Sequence, residues 1–149
     1  MTVVVGVDAS PRCHSAVRVA AQEARYRAVP LMAIMAYNTQ GALGAAPAAR
    51  PLSTLRTDAD ERAVSEAMLG DMVRDVLGAQ AGDVDQRVVP GVAGRALVDA
   101  ARRADASLVV LASRANGAMG WKIGASGWYV LRNAPCPVLV VPGDSKARA

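Results

Sequence analysis

The chain alternates between short continuous apolar runs and longer segments whose apolar residues recur at helical spacing. The short runs are rich in β-branched residues and apolar on both faces, as is typical of buried parallel strands. They occupy residues 2–7, 31–36, 84–89, 107–111 and 137–141. Five strands are therefore predicted.

The segments between these runs predict four helices, at 11–27, 58–77, 94–103 and 124–132. The first follows Ser10-Pro11, a favourable helix start because serine caps and proline fits the first turn. Its predicted buried face is Cys13, Val17, Ala20 and Ala24. In the second helix Val64, Met68 and Met72 recur every four residues, beside Leu69, Val73 and Val76, and in the third Leu97 and Val98 face inward.

Strands and helices that alternate along one chain predict a single α/β domain over residues 1–149, with a parallel sheet and helices on both faces. Ligands of such sheets bind at the carboxyl ends of the strands, where the strand order reverses. Residues 38–57 lack clean periodicity and are rich in Ala, Gly and Pro. They predict a long loop, of a kind that is usually functional or mobile.

Composition narrows the class of protein. Apolar residues make up 52% of the chain and charged residues 20%, which predicts a folded globular domain. The net charge of +4 is spread along the chain without a clustered basic face, so no nucleic-acid partner is predicted. No run is long enough for a membrane span or a signal peptide. The two cysteines do not form a disulfide framework, and a reducing cytoplasmic location is predicted.

The ends of the chain carry the most specific motifs. Residues 4–11 read Val-Val-Gly-Val-Asp-Ala-Ser-Pro, and residues 111–115 read Leu-Ala-Ser-Arg-Ala. A loop then leads to Gly124, and residues 134–141 read Ala-Pro-Cys-Pro-Val-Leu-Val-Val. Together with Val-Val-Pro-Gly at 88–91, this pattern resembles the universal stress protein family over nearly the whole chain.

The resemblance implies an open five-stranded parallel sheet of order 3-2-1-4-5 and an adenine-nucleotide cleft at its switch point. It implies that Asp8 holds the ribose hydroxyls, that backbone near Ala36 meets the adenine edge, and that the 112–115 turn and the following helix start hold phosphate. A homodimer through the last strand, Val138–Val141, is also implied. The predicted cofactor-binding residues are Val7, Asp8, Ala36, Ala112, Ser113, Arg114, Ala115, Gly124, Ala125, Ser126 and Gly127.

The phosphate motif departs from the family pattern, Gly-x2-Gly-x9-Gly-(Ser/Thr). Its first two glycines are Ala112 and Ala115 here, and a gap-free count back from the last strand places its third at Gly124. The other register places the third glycine at Ala125 and the hydroxyl at Ser126, and it needs a deletion inside the last helix. If the turn required positive φ, each alanine would cost about 1–2 kcal/mol.

Three functions remain open from the sequence. The first is a non-catalytic stress-response module that binds ATP with Mg²⁺, or AMP or another adenosine ligand. The second is a dimeric partner-binding regulatory module that binds no nucleotide. A remote third is an ATP-hydrolysing enzyme, but the strand-one loop lacks the Ser-Gly-Gly-x-Asp-Ser of ATP pyrophosphatases, and no general base is placed there. No catalytic or metal-ligating residue is therefore predicted.

Overall fold

A computed structural model of the chain describes residues 1–38, 57–115 and 121–144. Its main sheet has five parallel strands in the order β3-β2-β1-β4-β7. This confirms the predicted order 3-2-1-4-5, with β7 as the fifth strand. The strands are β1 (Thr2–Val7), β2 (Leu31–Tyr37), β3 (Asp85–Pro90), β4 (Ala106–Ala112) and β7 (Val138–Val141), and a separate pair is β5 (Arg114–Ala115) with β6 (Trp121–Lys122).

Four α-helices cover both faces of the sheet, as predicted. They are α1 (His14–Arg27), α2 (Asp58–Leu77), α3 (Ala93–Arg103) and α4 (Ala125–Asn133), with 3-10 helices at Pro11–Cys13 and Gly78–Asp83. Side chains of β1 alternate between two cores. Val3 and Val5 pack with α1 and α2 on one face, whereas Val4 packs with α3 and α4 on the other.

The helix starts are encoded locally. The Ser10 hydroxyl accepts a hydrogen bond from the Arg12 amide at the first 3-10 turn, and Pro11 occupies the first helical position. Thr57 and Asp60 form a reciprocal capping box at the start of α2. Because such signals lie within a few residues, the sequence places these starts well, and α2 has the predicted bounds.

The predicted buried face of α2 is partly wrong. Leu69, Met72 and Val73 are buried, but Val64 and Met68 are 37% and 39% exposed. A four-residue step advances about 40° beyond a full helical turn, so residues spaced by four drift away from a straight core-facing stripe. Ser65, one position further along than Val64, is buried instead.

The small β5–β6 hairpin was not predicted. Arg114 pairs with Lys122 and Ala115 with Trp121 in an antiparallel ladder, within a stretch interpreted as a loop from residue 116 to 123. Two-residue strands are too short to leave a periodic signal. Most of the predicted 38–57 loop lies outside the described residues. No helix in the described ranges has the length and apolarity to cross a membrane.

Candidate functional site

A cavity of about 280 Å³ opens at the carboxyl ends of β1 and β4. These adjacent parallel strands flank the point where the strand order reverses, which is the usual ligand position in open α/β sheets. The amino-terminal ends of α3 and α4 contribute to the opposite side. The structure thus brings Asp8 and the end of β4 into one crevice.

Most of the predicted binding residues line this cavity. They are Val7, Asp8, Ala36, Ala112, Arg114, Gly124, Ala125, Ser126 and Gly127. Ser113 does not line it, since its side chain is 1% exposed with a hydroxyl that has no partner among the described residues. Its amide instead donates to the Val141 carbonyl, at 2.8 Å. The Ala115 backbone pairs with Trp121 in the β5–β6 hairpin.

Sequence reasoning missed several lining residues. The lining residues that were not predicted are Gly6, Arg12, Cys13, Ile34, Ala93, Gly94, Leu97, Leu111, Ile123 and Val130. Most of them are apolar or small and carry no motif, so only the tertiary structure assigns them to the cavity. Arg12 is charged and close to Asp8 in sequence, but Asp8 precedes the predicted helix, so helical spacing did not predict that their side chains meet.

Asp8 is held by a network within its own turn. Its Oδ1 accepts the Ser10 amide at 2.7 Å and lies 3.4 Å from the Cys13 Sγ. Its Oδ2 pairs with the Arg12 Nη2. The Asp8 side chain remains 47% exposed towards the cavity and solvent. Its carboxylate is therefore oriented but still accessible to a ligand.

Cys13 beneath Asp8 is a protonated thiol at neutral pH. Burial is the main cause that raises its pKa to about 11, and the neighbouring Asp8 carboxylate adds to the effect. A thiolate nucleophile needs the opposite shift. Cys13 is therefore a buried packing residue beneath the site.

Arg114 lies at the amino-terminal end of α4. A Cβ placed on Gly124, the N-cap residue, would stand 3.3 Å from the Arg114 Nε, so the guanidinium covers the helix start. No side chain caps α4, and its first amides, together with the helix dipole, favour an anion there. Within the described residues the Arg114 guanidinium has no ion-pair or hydrogen-bond partner. This end of the cavity is consequently electropositive.

The opposite part of the cavity is apolar. Ile34, Leu97, Leu111 and Val130 contribute the side chains, and all four are buried. Pockets of this kind combine an apolar wall with a few polar groups that orient the ligand. The polar groups here are the Asp8–Arg12 pair, which follows β1, and Arg114, which lies at the start of α4.

The two alanines of the altered motif are not strained. Ala112 lies in β4 and Ala115 in β5, where the backbone is extended. In the described residues, positive φ occurs outside glycine only at Ala28 and Asp105. The strain expected for a positive-φ turn therefore does not arise at either alanine.

These features define a doubly wound α/β domain with a ligand-sized cleft at its switch point. A sequence model of the universal stress protein family matches residues 1–142. The chain belongs to this family. The universal stress protein Rv2623 of Mycobacterium tuberculosis is 31% identical over 141 residues, which is 93% of this chain and 46% of that protein. The chain thus spans about half the length of this curated relative.

Solved structures of the family share the fold. A universal stress protein in complex with cAMP is 26% identical, with a TM-score of 0.67, and the match covers 97% of this chain and 98% of that one. A universal stress protein from Archaeoglobus fulgidus in complex with dAMP is 24% identical, with a TM-score of 0.62 and coverage of 94% and 96%.

Proposed function

We propose that this domain is a non-catalytic stress-response module that binds an adenine mononucleotide. The observation that carries the proposal is the cavity itself, which joins an apolar wall, one accessible carboxylate and an unpaired guanidinium at a helix start. Adenine would lie against the apolar wall, a sugar hydroxyl would donate to Asp8, and phosphate would meet Arg114 and the first amides of α4.

The similarity to a cAMP-binding family member supports the ligand class. The charge of the cavity favours a ligand with few phosphates, since Asp8 and Arg12 offset each other and Arg114 is the remaining charged group of the described lining. We therefore propose AMP or a cyclic monophosphate, while ATP with Mg²⁺ stays a prediction.

The ionisable groups of the described lining support a non-catalytic role. Asp8 is ion-paired and Cys13 is protonated, so neither is an activated base or nucleophile. The two arginines bind anions but do not transfer protons at neutral pH. We therefore propose that the domain responds to the nucleotide by binding it, without converting it to a product.

The test is calorimetric titration of the protein with AMP, cAMP and ATP. Asp8→Asn should weaken AMP binding by about tenfold or more, because a hydroxyl bond to a charged carboxylate becomes a bond to a neutral amide. Asp83→Asn is a matched control at an exposed aspartate outside the cavity lining, and it should bind AMP as the wild type does. Equal affinity of all three proteins would refute the role of Asp8, and no binding at millimolar nucleotide would favour the partner-binding module.

We further propose that the domain forms a homodimer through β7. Among the described strands, β7 is the outer edge of the sheet and pairs only with β4, so it offers one side of its backbone to a second strand. Val138, Leu139 and Val140 are all half-buried rather than fully covered. Sedimentation equilibrium at several concentrations should give a dimer mass, and a monomer at all concentrations would refute the proposal. The cytoplasmic location stays a prediction.

A further inference from the structure

The Asp8 carboxylate is largely occupied before any ligand arrives. A carboxylate offers about four lone-pair positions, two on each oxygen. On Oδ1 these face the Ser10 amide at 2.7 Å and the Cys13 thiol at 3.4 Å. On Oδ2 one position is taken by the Arg12 guanidinium. With these described partners in place, a single acceptor position remains for a sugar hydroxyl.

Arg12 is held beside Asp8 by contacts with Gly143 and Asp144. Its side chain is only 25% exposed, and its backbone carbonyl accepts the Asp144 amide at 3.2 Å. Gly143 packs closely on it, since a Cβ there would lie 3.1 Å from the Arg12 Cβ. The Arg12 Nε is buried without a partner among the described residues. The side chain is thus confined beside Asp8 by packing, and its ion pair is part of the cavity wall.

Asp8 is the group that a sugar would meet. It is the only carboxylate among the described residues that line the cavity. A phosphate is repelled by a carboxylate and attracted to Arg114, while the adenine ring suits the apolar wall. The remaining donors of a mononucleotide near Asp8 are its ribose hydroxyls.

We propose that Arg12 sets the sugar selectivity of the cleft by leaving Asp8 one free acceptor. The cleft then takes adenine nucleotides that present at least one ribose hydroxyl, and it binds ribonucleotides and 2′-deoxyribonucleotides alike. A second hydroxyl adds little, because the acceptor that it would need is occupied by the guanidinium. The proposal rests on the proposed function, namely mononucleotide binding in this cavity.

The first test uses the wild-type protein and three ligands that differ only in their hydroxyls. Calorimetry with AMP, 2′-deoxy-AMP and 2′,3′-dideoxy-AMP should give affinities within about threefold for the first two. The dideoxy compound should bind about tenfold more weakly or worse, since it leaves the charged acceptor unpaired. An AMP preference over 2′-deoxy-AMP of more than tenfold would overturn the proposal, as would equal binding of all three.

The second test removes the guanidinium. Arg12→Gln frees the second position on Oδ2, so AMP should now be preferred over 2′-deoxy-AMP by about tenfold. Arg114→Gln is the matched control on the other cavity arginine, and it should weaken both ligands by the same factor and leave their ratio unchanged. An unchanged ratio in folded Arg12→Gln would refute the role of Arg12.

The outcomes distinguish a failure of this proposal from a failure of the proposed mononucleotide binding. If none of the nucleotides binds to the wild type, mononucleotide binding itself is wrong. If they bind but discriminate strongly by sugar, only the role of Arg12 is wrong. The wild-type series decides the matter even if Arg12→Gln fails to fold, and thermal unfolding of each variant checks that it has folded.

Discussion

Gly143 packs the segment after β7 against Ser113 and against Arg12 in the cavity wall. Its replacement by alanine should loosen the packing of this segment and of the wall. A Cβ at this position would lie closer than 3.0 Å to the Ser113 carbonyl oxygen and 3.1 Å from the Arg12 Cβ. The Ser113 oxygen belongs to the backbone, which the hydrogen bond from the Ser113 amide to Val141 holds in place. The segment at 142–144 must therefore move away.

The cost follows from the contacts that this movement breaks. Overpacking of one methyl group costs about 1–3 kcal/mol. The bond from the Asp144 amide to the Arg12 carbonyl, and that from the Ser15 hydroxyl to the Asp144 carboxylate, would also weaken, at about 0.5–1.5 kcal/mol each. Because part of the strain is relieved when these bonds break, we expect a total loss of about 2–3 kcal/mol. In a domain of this size that lowers Tm by about 4–12 °C.

The assay is thermal and urea-induced unfolding of Gly143→Ala beside Gly82→Ala. A Cβ added at Gly82 would meet no heavy atom of the described residues within 4 Å, and this glycine does not need positive φ. Its alanine variant should therefore match the wild type or be slightly more stable. AMP affinity should fall in Gly143→Ala alone, since the turn that bears Asp8 and Arg12 loses its support. Equal stability of the two variants would show that an alanine at position 143 causes no clash.

Two further predictions concern the wall and the floor of the cavity. Gly94→Ala would place a Cβ 2.9 Å from the Ser126 carbonyl oxygen, so we expect α3 and α4 to separate, with a loss of about 1–3 kcal/mol and weaker AMP binding, both measurable by unfolding and calorimetry. Since burial raises the pKa of Cys13 to about 11 from an ordinary value of 9, the unfolded chain loses this proton first as pH rises. Stability should therefore be complete below about pH 9 and fall by about 2–3 kcal/mol by pH 11, and urea unfolding of Cys13→Ala should lack this part of the pH dependence.

Much of the fold could be predicted from the sequence because the signals for strands and helices are local and repeated. Continuous β-branched runs predicted the strands, and Ser10-Pro11 predicted the start of the first helix. Alternation of the two element types required a parallel sheet, while the order of its strands came from the motifs shared with one family. Helix α2 shows how far spacing alone can predict burial, because Val64 and Met68 fit the four-residue spacing yet are exposed.

The resemblance to the family, through its strand order and its phosphate motif, predicted Asp8, Arg114 and Gly124 at one site, and all three line the same cavity. It did not reveal that Ser113 turns away from the cavity, because the direction of one side chain after a strand depends on the register of its neighbours.

Only the tertiary structure determined how the site is assembled. The cover that Arg114 gives the start of α4, and the close approach of Gly143 to Ser113 and Arg12, join groups that local pattern does not connect. Arg12 and Asp8 are only four residues apart, but the structure was needed to show that their side chains pair. Residues 113 and 143 become neighbours because β4 and β7 pair, and sequence periodicity carries no information about such contacts. The family and its cleft are therefore readable from the sequence, whereas the confinement of Arg12 beside Asp8 depends on packing against the distant residues Gly143 and Asp144.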